Sequence, residues 1–225
     1  MEYSFQSVPC QSNNMHQMNS LRRLLVCSGV LLLTACTSLP SVPDQNGQSW
    51  SRDKQFFRAA LKQHEQNVDW QYNAKVGVRT PKANESANLI WQRADEEHKV
   101  RLFGPLGAGT VIIEFDSHGV VISDSKGEVH RGRSAERLLN RIVGWPIPLE
   151  ALMYWLFALP NPSAVYQYQL NDDGRVLALR QQGWEIHYSA YQQYENGNWL
   201  PRKVVARKQV REGDVVVRLV SKSWQ

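Results

Sequence analysis

The sequence predicts a mainly β (α+β) fold, a curved antiparallel sheet or incomplete barrel of about eleven strands with about three helices closing one mouth. Three observations predict it. Apolar residues recur at every second position through most of the chain from Trp70 to Trp224, the period of a strand with one buried face. Turn sequences, among them "SHG", "SKG", "NDDG" and "ENGN", punctuate those runs at hairpin spacing. A helical block interrupts the β pattern once, between Ser134 and Pro160. A sheet of so many strands curls rather than lying flat.

The first segment is a processing signal. Arg22 and Arg23 precede an apolar run, "LLVCSGVLLL", too short for the ~20 residues that span a bilayer as a helix. Its end, "LTAC" at 33–36, resembles the lipobox of bacterial lipoproteins, in which small residues give a peptidase access to the bond before the cysteine. The resemblance implies that residues 1–35 are a lipoprotein signal peptide. It also implies that Cys36 carries a thioether-linked diacylglyceride, with a third acyl chain on its freed amine. An ordinary cleavage site beside an incidental cysteine is the competing reading. Residues 1–14 look unlike a signal n-region, so Met15 or Met18 is a possible true start. Cys10 and Cys27 fall upstream of the cleavage point, leaving no thiol for a disulfide or a thiolate site. Two or more acyl chains anchor stably where one does not. Thr37 stands where an inner-membrane retention signal usually shows Asp, which favours the outer membrane, the body facing the periplasm. Residues 36–50, rich in Ser, Pro, Gln and Gly, read as a lipid-anchored flexible tether, and 51–225 as a single barrel domain.

Within that domain, Phe56, Phe57, Ala60, Leu61 and His64 recur at helical spacing over 51–68, with Ser51 as N-cap. Strands follow at 70–78, 86–93, 98–104, 109–116, 119–124 and 127–131. Ser134 caps a helix over 135–143 that Gly144 ends, and a second helix restarts over 146–160. That second helix is apolar nearly all round, so protein or ligand must cover it on several sides. Strands return at 164–170, 174–181, 183–190, 199–209 and 214–224.

Chemistry-bearing patterns are scarce. The net charge is +5, its basic residues scattered along strands; they read mainly as solvated faces, with attraction to anionic lipid head groups as a second possibility. A periplasmic location argues against nucleic acid. His64, His98, His118, His130 and His187 share no ligand spacing, so surface histidines and no metal are expected. No G-x-S-x-G elbow occurs, and Asp124 and Glu128 sit in a turn; neither an enzyme nor a cofactor is expected. "GPLGAGT" (104–110) has the glycine spacing of a phosphate loop, but Ala108 replaces the lysine and a strand follows where a helix is needed. An ordinary turn with Leu106 folded onto the core remains open for that stretch. So does a merely well-filled core for the inward-facing aromatic and aliphatic residues.

"LFGPLGAGTVIIEF" (102–115), "GWPIPLEALMYWLFALP" (144–160) and the lipobox resemble, in order and spacing, the LolB family of outer-membrane lipoprotein receptors. The resemblance implies an unclosed antiparallel β-barrel lidded by helices with a hydrophobic cavity inside. That cavity would take the acyl chains of lipoproteins from a soluble periplasmic carrier (LolA-like) and release them into the outer membrane. Candidate cavity residues are Tyr72, Val76, Leu89, Trp91, Val111, Ile113, Phe115, Leu152, Trp155, Leu156, Trp184, Ile186 and Val217. Gly104, Pro105, Leu106 and Gly107 match a membrane-insertion loop whose leucine protrudes. Membrane lipid is then contacted through Cys36 and Leu106, by a monomer. One departure is Ala158, where the family pattern implies Gly and a slight change in helix packing.

Overall fold

Alternation of side chains decides how the strands lie. In β1 (Trp70–Arg79) the residues Trp70, Tyr72, Ala74, Val76 and Val78 are buried and those between them are more exposed, so one face of the strand must be covered. The computed structural model describes residues 49–104, 109–195 and 197–225. Ten further strands follow: β2 (Asn84–Ala94), β3 (Glu97–Phe103), β4 (Val111–Phe115), β5 (Val120–Asp124), β6 (Val129–Gly132), β7 (Tyr166–Leu170), β8 (Val176–Gln181), β9 (Trp184–Gln193), β10 (Trp199–Val210) and β11 (Gly213–Trp224). They form one sheet of 11 strands in the order β6-β5-β4-β3-β2-β1-β11-β10-β9-β8-β7. Every neighbouring pair is antiparallel. The two end strands, β6 and β7, do not pair with each other, which leaves the barrel unclosed.

Two meanders meet at the centre. The first runs β1 to β6 and the second β7 to β11, and pairing of β1 with β11 joins them, Val76 opposite Leu219 and Val78 opposite Val217. Side-chain acceptors fix several hairpin turns. Asn171 Oδ1 accepts from the amides of Asp173 and Arg175, and Gly174 supplies the left-handed residue at φ 73°. Asp124 Oδ1 accepts from the amides of Lys126 and Glu128 in the same way.

Helix α1 (Gln55–Gln66) begins later than the periodicity suggests, and Ser51 is not its cap. Asp53 Oδ1 accepts from the Gln55 amide at 2.8 Å. Ser51 is held extended instead, its amide donating to Tyr168 O and its carbonyl accepting from the Tyr168 amide. Backbone pairing with the open edge of β7 outcompetes a hydroxyl cap. Phe57 is buried against Tyr166 and Tyr168, whereas Phe56 is exposed and stacks on the Tyr168 ring.

Helix α2 (Ala135–Val143) follows the sequence reading: Ser134 Oγ accepts from the Arg137 amide and Gly144 closes the helix at φ 77°. Helix α3 (Leu149–Trp155) is much shorter than 146–160. Pro148 is its N-cap, with extended backbone (ψ 90°) and a carbonyl that accepts from the Leu152 amide at 2.8 Å. At the other end Ala158 adopts φ 57°, and the Leu159 amide donates back to Tyr154 O. That left-handed closure suits glycine; alanine there costs about 1–2 kcal/mol. The departure at 158 therefore acts on the backbone. Glu150 faces solvent, while Leu149, Ala151, Leu152 and Trp155 are buried.

Candidate functional site

The inner face of the sheet and the two short helices enclose a wholly apolar space. Val76, Leu89, Trp91, Val100, Leu102, Ile113, Val217 and Leu219 line it from the sheet. Leu139 of α2, Trp145 and Ile147 of the connecting segment, and Leu149 and Leu152 of α3 line it from above. Its volume is about 20 Å³, room for a water-sized sphere and not for a chain of methylenes. The interior is thus hydrophobic and closed.

Six of the cavity candidates line this space: Val76, Leu89, Trp91, Ile113, Leu152 and Val217. Others are buried elsewhere. Tyr72 packs on Trp224, ring centroids 4.4 Å apart. Phe115 stacks on His98 at 4.7 Å. Trp155 faces Trp184 at 6.0 Å, and Leu156 and Ile186 are fully buried away from the space. Val111 is half-buried where β4 begins. Gly104 ends the described part of β3's exit, while Pro105, Leu106, Gly107 and Cys36 lie outside the described residues. Leu102, the last inward residue of β3, lines the space and pairs with Val111, so the chain enters and leaves 104–110 beside the apolar interior. Trp145 and Ile147 went unrecognised because a proline-broken linker has no period. Val100 and Leu102 were legible in the alternation of β3.

Gln181 holds the lid's trailing end. Its Oε1 accepts from Trp155 Nε1 at 3.0 Å and from the Asn161 amide at 2.9 Å, and its Nε2 donates to Asn161 O and Ala164 O. Both ends of one buried amide are satisfied, tying α3 and the segment after it to the end of β8.

Two histidines correct the expectation of surface placement: His64 and His98 are buried. His98 accepts at Nδ1 from Trp91 Nε1 (3.2 Å), and His64 packs on Tyr154 and Phe157. Burial, reinforced by the nearby Arg93 charge, pushes each down to about 4. Histidine in the unfolded chain titrates near 6.5. Folded values below unfolded ones mean that neutral histidine stabilises the fold fully above 6.5, and that this contribution is lost as pH falls towards 4. Each residue contributes up to about 3 kcal/mol. Urea unfolding should show a steep fall in stability through that window, and His64→Leu should flatten part of it; an unchanged slope would place the acid sensitivity elsewhere.

A wider groove of about 1040 Å³ opens at the other end of β1 to β6, with Arg93, Glu97, Lys99, Glu114, Asp116 and Arg131 among its lining. Its mixed charge suits water better than an alkyl chain.

An unclosed antiparallel sheet, lidded by short helices over an apolar interior, defines a helix-capped half-barrel. The family described as "Outer membrane lipoprotein LolB" matches residues 68–224, and the chain belongs to the LolB family. A relative named "Outer-membrane lipoprotein LolB" from Pseudomonas syringae pv. syringae is 34% identical over 205 residues, covering 91% of this chain and 96% of that one. Its namesake from Pseudomonas savastanoi pv. phaseolicola is 33% identical over the same shares. Among solved structures, a LolA superfamily protein from Nitrosomonas europaea aligns with a TM-score of 0.47 at 9% identity, over 74% of this chain and 92% of that one. Among the described residues no helix is long and apolar enough to cross a membrane.

Proposed function

We propose that this chain is an outer-membrane receptor, anchored through acylated Cys36, that accepts lipoproteins from a soluble LolA-like carrier and inserts them into the outer membrane. The observation that carries this reading is the interior lining, in which all thirteen residues are apolar or tryptophan. Such a surface gives an alkyl chain a favourable home and offers no partner for a polar ligand. Transfer makes and breaks no covalent bond. The closed interior sets its direction. Each buried methylene is worth about 0.8 kcal/mol, but α3 must first leave the sheet to admit a chain, so this cost lowers the net affinity below that of a fluid bilayer. Cargo then passes from carrier to receptor to membrane without nucleotide hydrolysis.

Trp91 and Trp145 report occupancy, since both line the space. A brominated fatty acid should quench tryptophan emission saturably, and Trp91→Phe combined with Trp145→Phe should remove most of the quenching. Exposed Trp199 should keep its emission. The small volume favours one other reading, a lipid-anchored structural or envelope-assembly protein with a filled core. Absence of any saturable quenching would establish that reading and overturn the first.

A further inference from the structure

On the outer face of β1, β10 and β11, opposite the helices, the surface around Val220 is exposed. On that face Val220 is an exposed apolar residue with a cation on every side. Lys75 of β1 and Lys203 of β10 are its cross-strand partners, and Arg218 and Lys222 are its neighbours two residues away on β11. All four are exposed. Strand spacing puts Lys75 and Lys203 about 10 Å apart, and strand rise puts Arg218 and Lys222 about 13 Å apart. Lys222 Nζ donates to Asn88 Oδ1; none of the four makes an ion pair among the described residues. Arg79 and Arg207 flank Val216 on the same face, and Val216, unlike Val220, is fully buried. Acids are sparse there. Glu185, opposite Arg207, is bonded to Arg180 and His187, and Asp214 lies near the turn that begins β11.

We propose that this array, Lys75, Lys203, Arg218 and Lys222 around Val220, is a docking face for the anionic phospholipid head groups of the bilayer that holds the anchor. A solvated surface normally intersperses both signs of charge; four cations around an apolar centre without an acid match a plane of phosphates with hydrocarbon beneath. The tether supplies proximity. Ser51 is pinned to β7, fifteen residues after the anchor at Cys36, and a tether of that length reaches about 20 Å. Docking by the outer face leaves the opposite, helix-covered face towards the periplasm, where a carrier can reach it. The proposal depends on anchoring at Cys36 and not on acyl uptake.

The test uses the full acylated protein in phosphatidylcholine vesicles, with and without phosphatidylglycerol. Amine-acylation rates at Lys75, Lys203 and Lys222 are compared with exposed Lys62 of α1. With phosphatidylglycerol the three should slow relative to Lys62, the protection falling about fivefold for each cation removed and vanishing at high salt. Lys203→Gln with Arg218→Gln should restore reactivity at Lys75 and Lys222 without moving the urea midpoint. Equal rates in both kinds of vesicle would overturn the proposal, and the wild-type comparison decides this even where the variant is unstable. Protection that appears only on adding the soluble carrier would also overturn it, assigning the face to a protein. Brominated-chain quenching is independent of these rates, so failure of one reading leaves the other standing.

Discussion

Gln181→Ala should lower the stability of the fold by about 3–5 kcal/mol, far more than a polar residue at a strand end ordinarily contributes. Truncation leaves Trp155 Nε1, the Asn161 amide and two backbone carbonyls without the partner that now serves all four. Gln181 itself is 3% exposed, so water replaces the lost bonds poorly. Gln181→Glu should also destabilise, because the two carbonyls would face an acceptor where they now meet a donor. Urea unfolding measures both, with the denaturant slope unchanged if the unfolded state is unaffected. The effect reaches function through α3, whose last residue, Trp155, is one of the four groups. A loosened α3 should admit the brominated chain faster while holding it less firmly. Wild-type stability in Gln181→Ala would show that the lid's trailing end is secured by packing alone.

The strands were legible because their signal is redundant. Eleven segments repeat the same period, and a register slip in any of them would turn Val, Ile and Trp outward, so tertiary context and local pattern agree. Helix α3 was misjudged in length because its apolar residues continue at helical spacing on both sides. What stops it is backbone conformation, extended at Pro148 and left-handed at Ala158, and an alanine carries no sign of that. The buried histidines were in fact readable. His98 shares the inward parity of Val100 and Leu102, and His64 lies seven residues after Phe57 on the same helical face; expecting polar residues to sit outside overrode both patterns. Gln181 left no such trace. Its burial is created by a segment some twenty residues earlier in the chain, folded over the end of β8.

The interior shows the same division. Inward parity identified which face of the sheet is apolar, but which part of that face adjoins the lid depends on where α2 and α3 land. Val76, Leu89 and Val217 therefore line the space, whereas Trp184 and Ile186, equally inward, pack elsewhere. Period specifies the face, and three-dimensional contact selects along it.

Leu106→Glu should abolish delivery of cargo to vesicles while leaving the fold, membrane attachment and acyl binding intact. β3 ends and β4 begins beside Leu102, which lines the apolar space, and the proposed membrane-insertion loop is the segment that joins these two strands. Burying a leucine in lipid is worth about 1.5–3 kcal/mol, too little to anchor a protein already held by acyl chains and enough to bias which end of it meets the bilayer. A carboxylate reverses the sign of that bias, since a charge entering hydrocarbon costs more than the leucine gained. Leu106→Phe should retain delivery, because it keeps the burial and changes only the shape. The decisive comparison follows labelled lipoprotein from carrier to receptor and from receptor to vesicle in one experiment. Loss of the second step alone is the expected result for Leu106→Glu. Loss of the first step would make the leucine part of the binding interior, and normal delivery would leave the loop no part in membrane transfer.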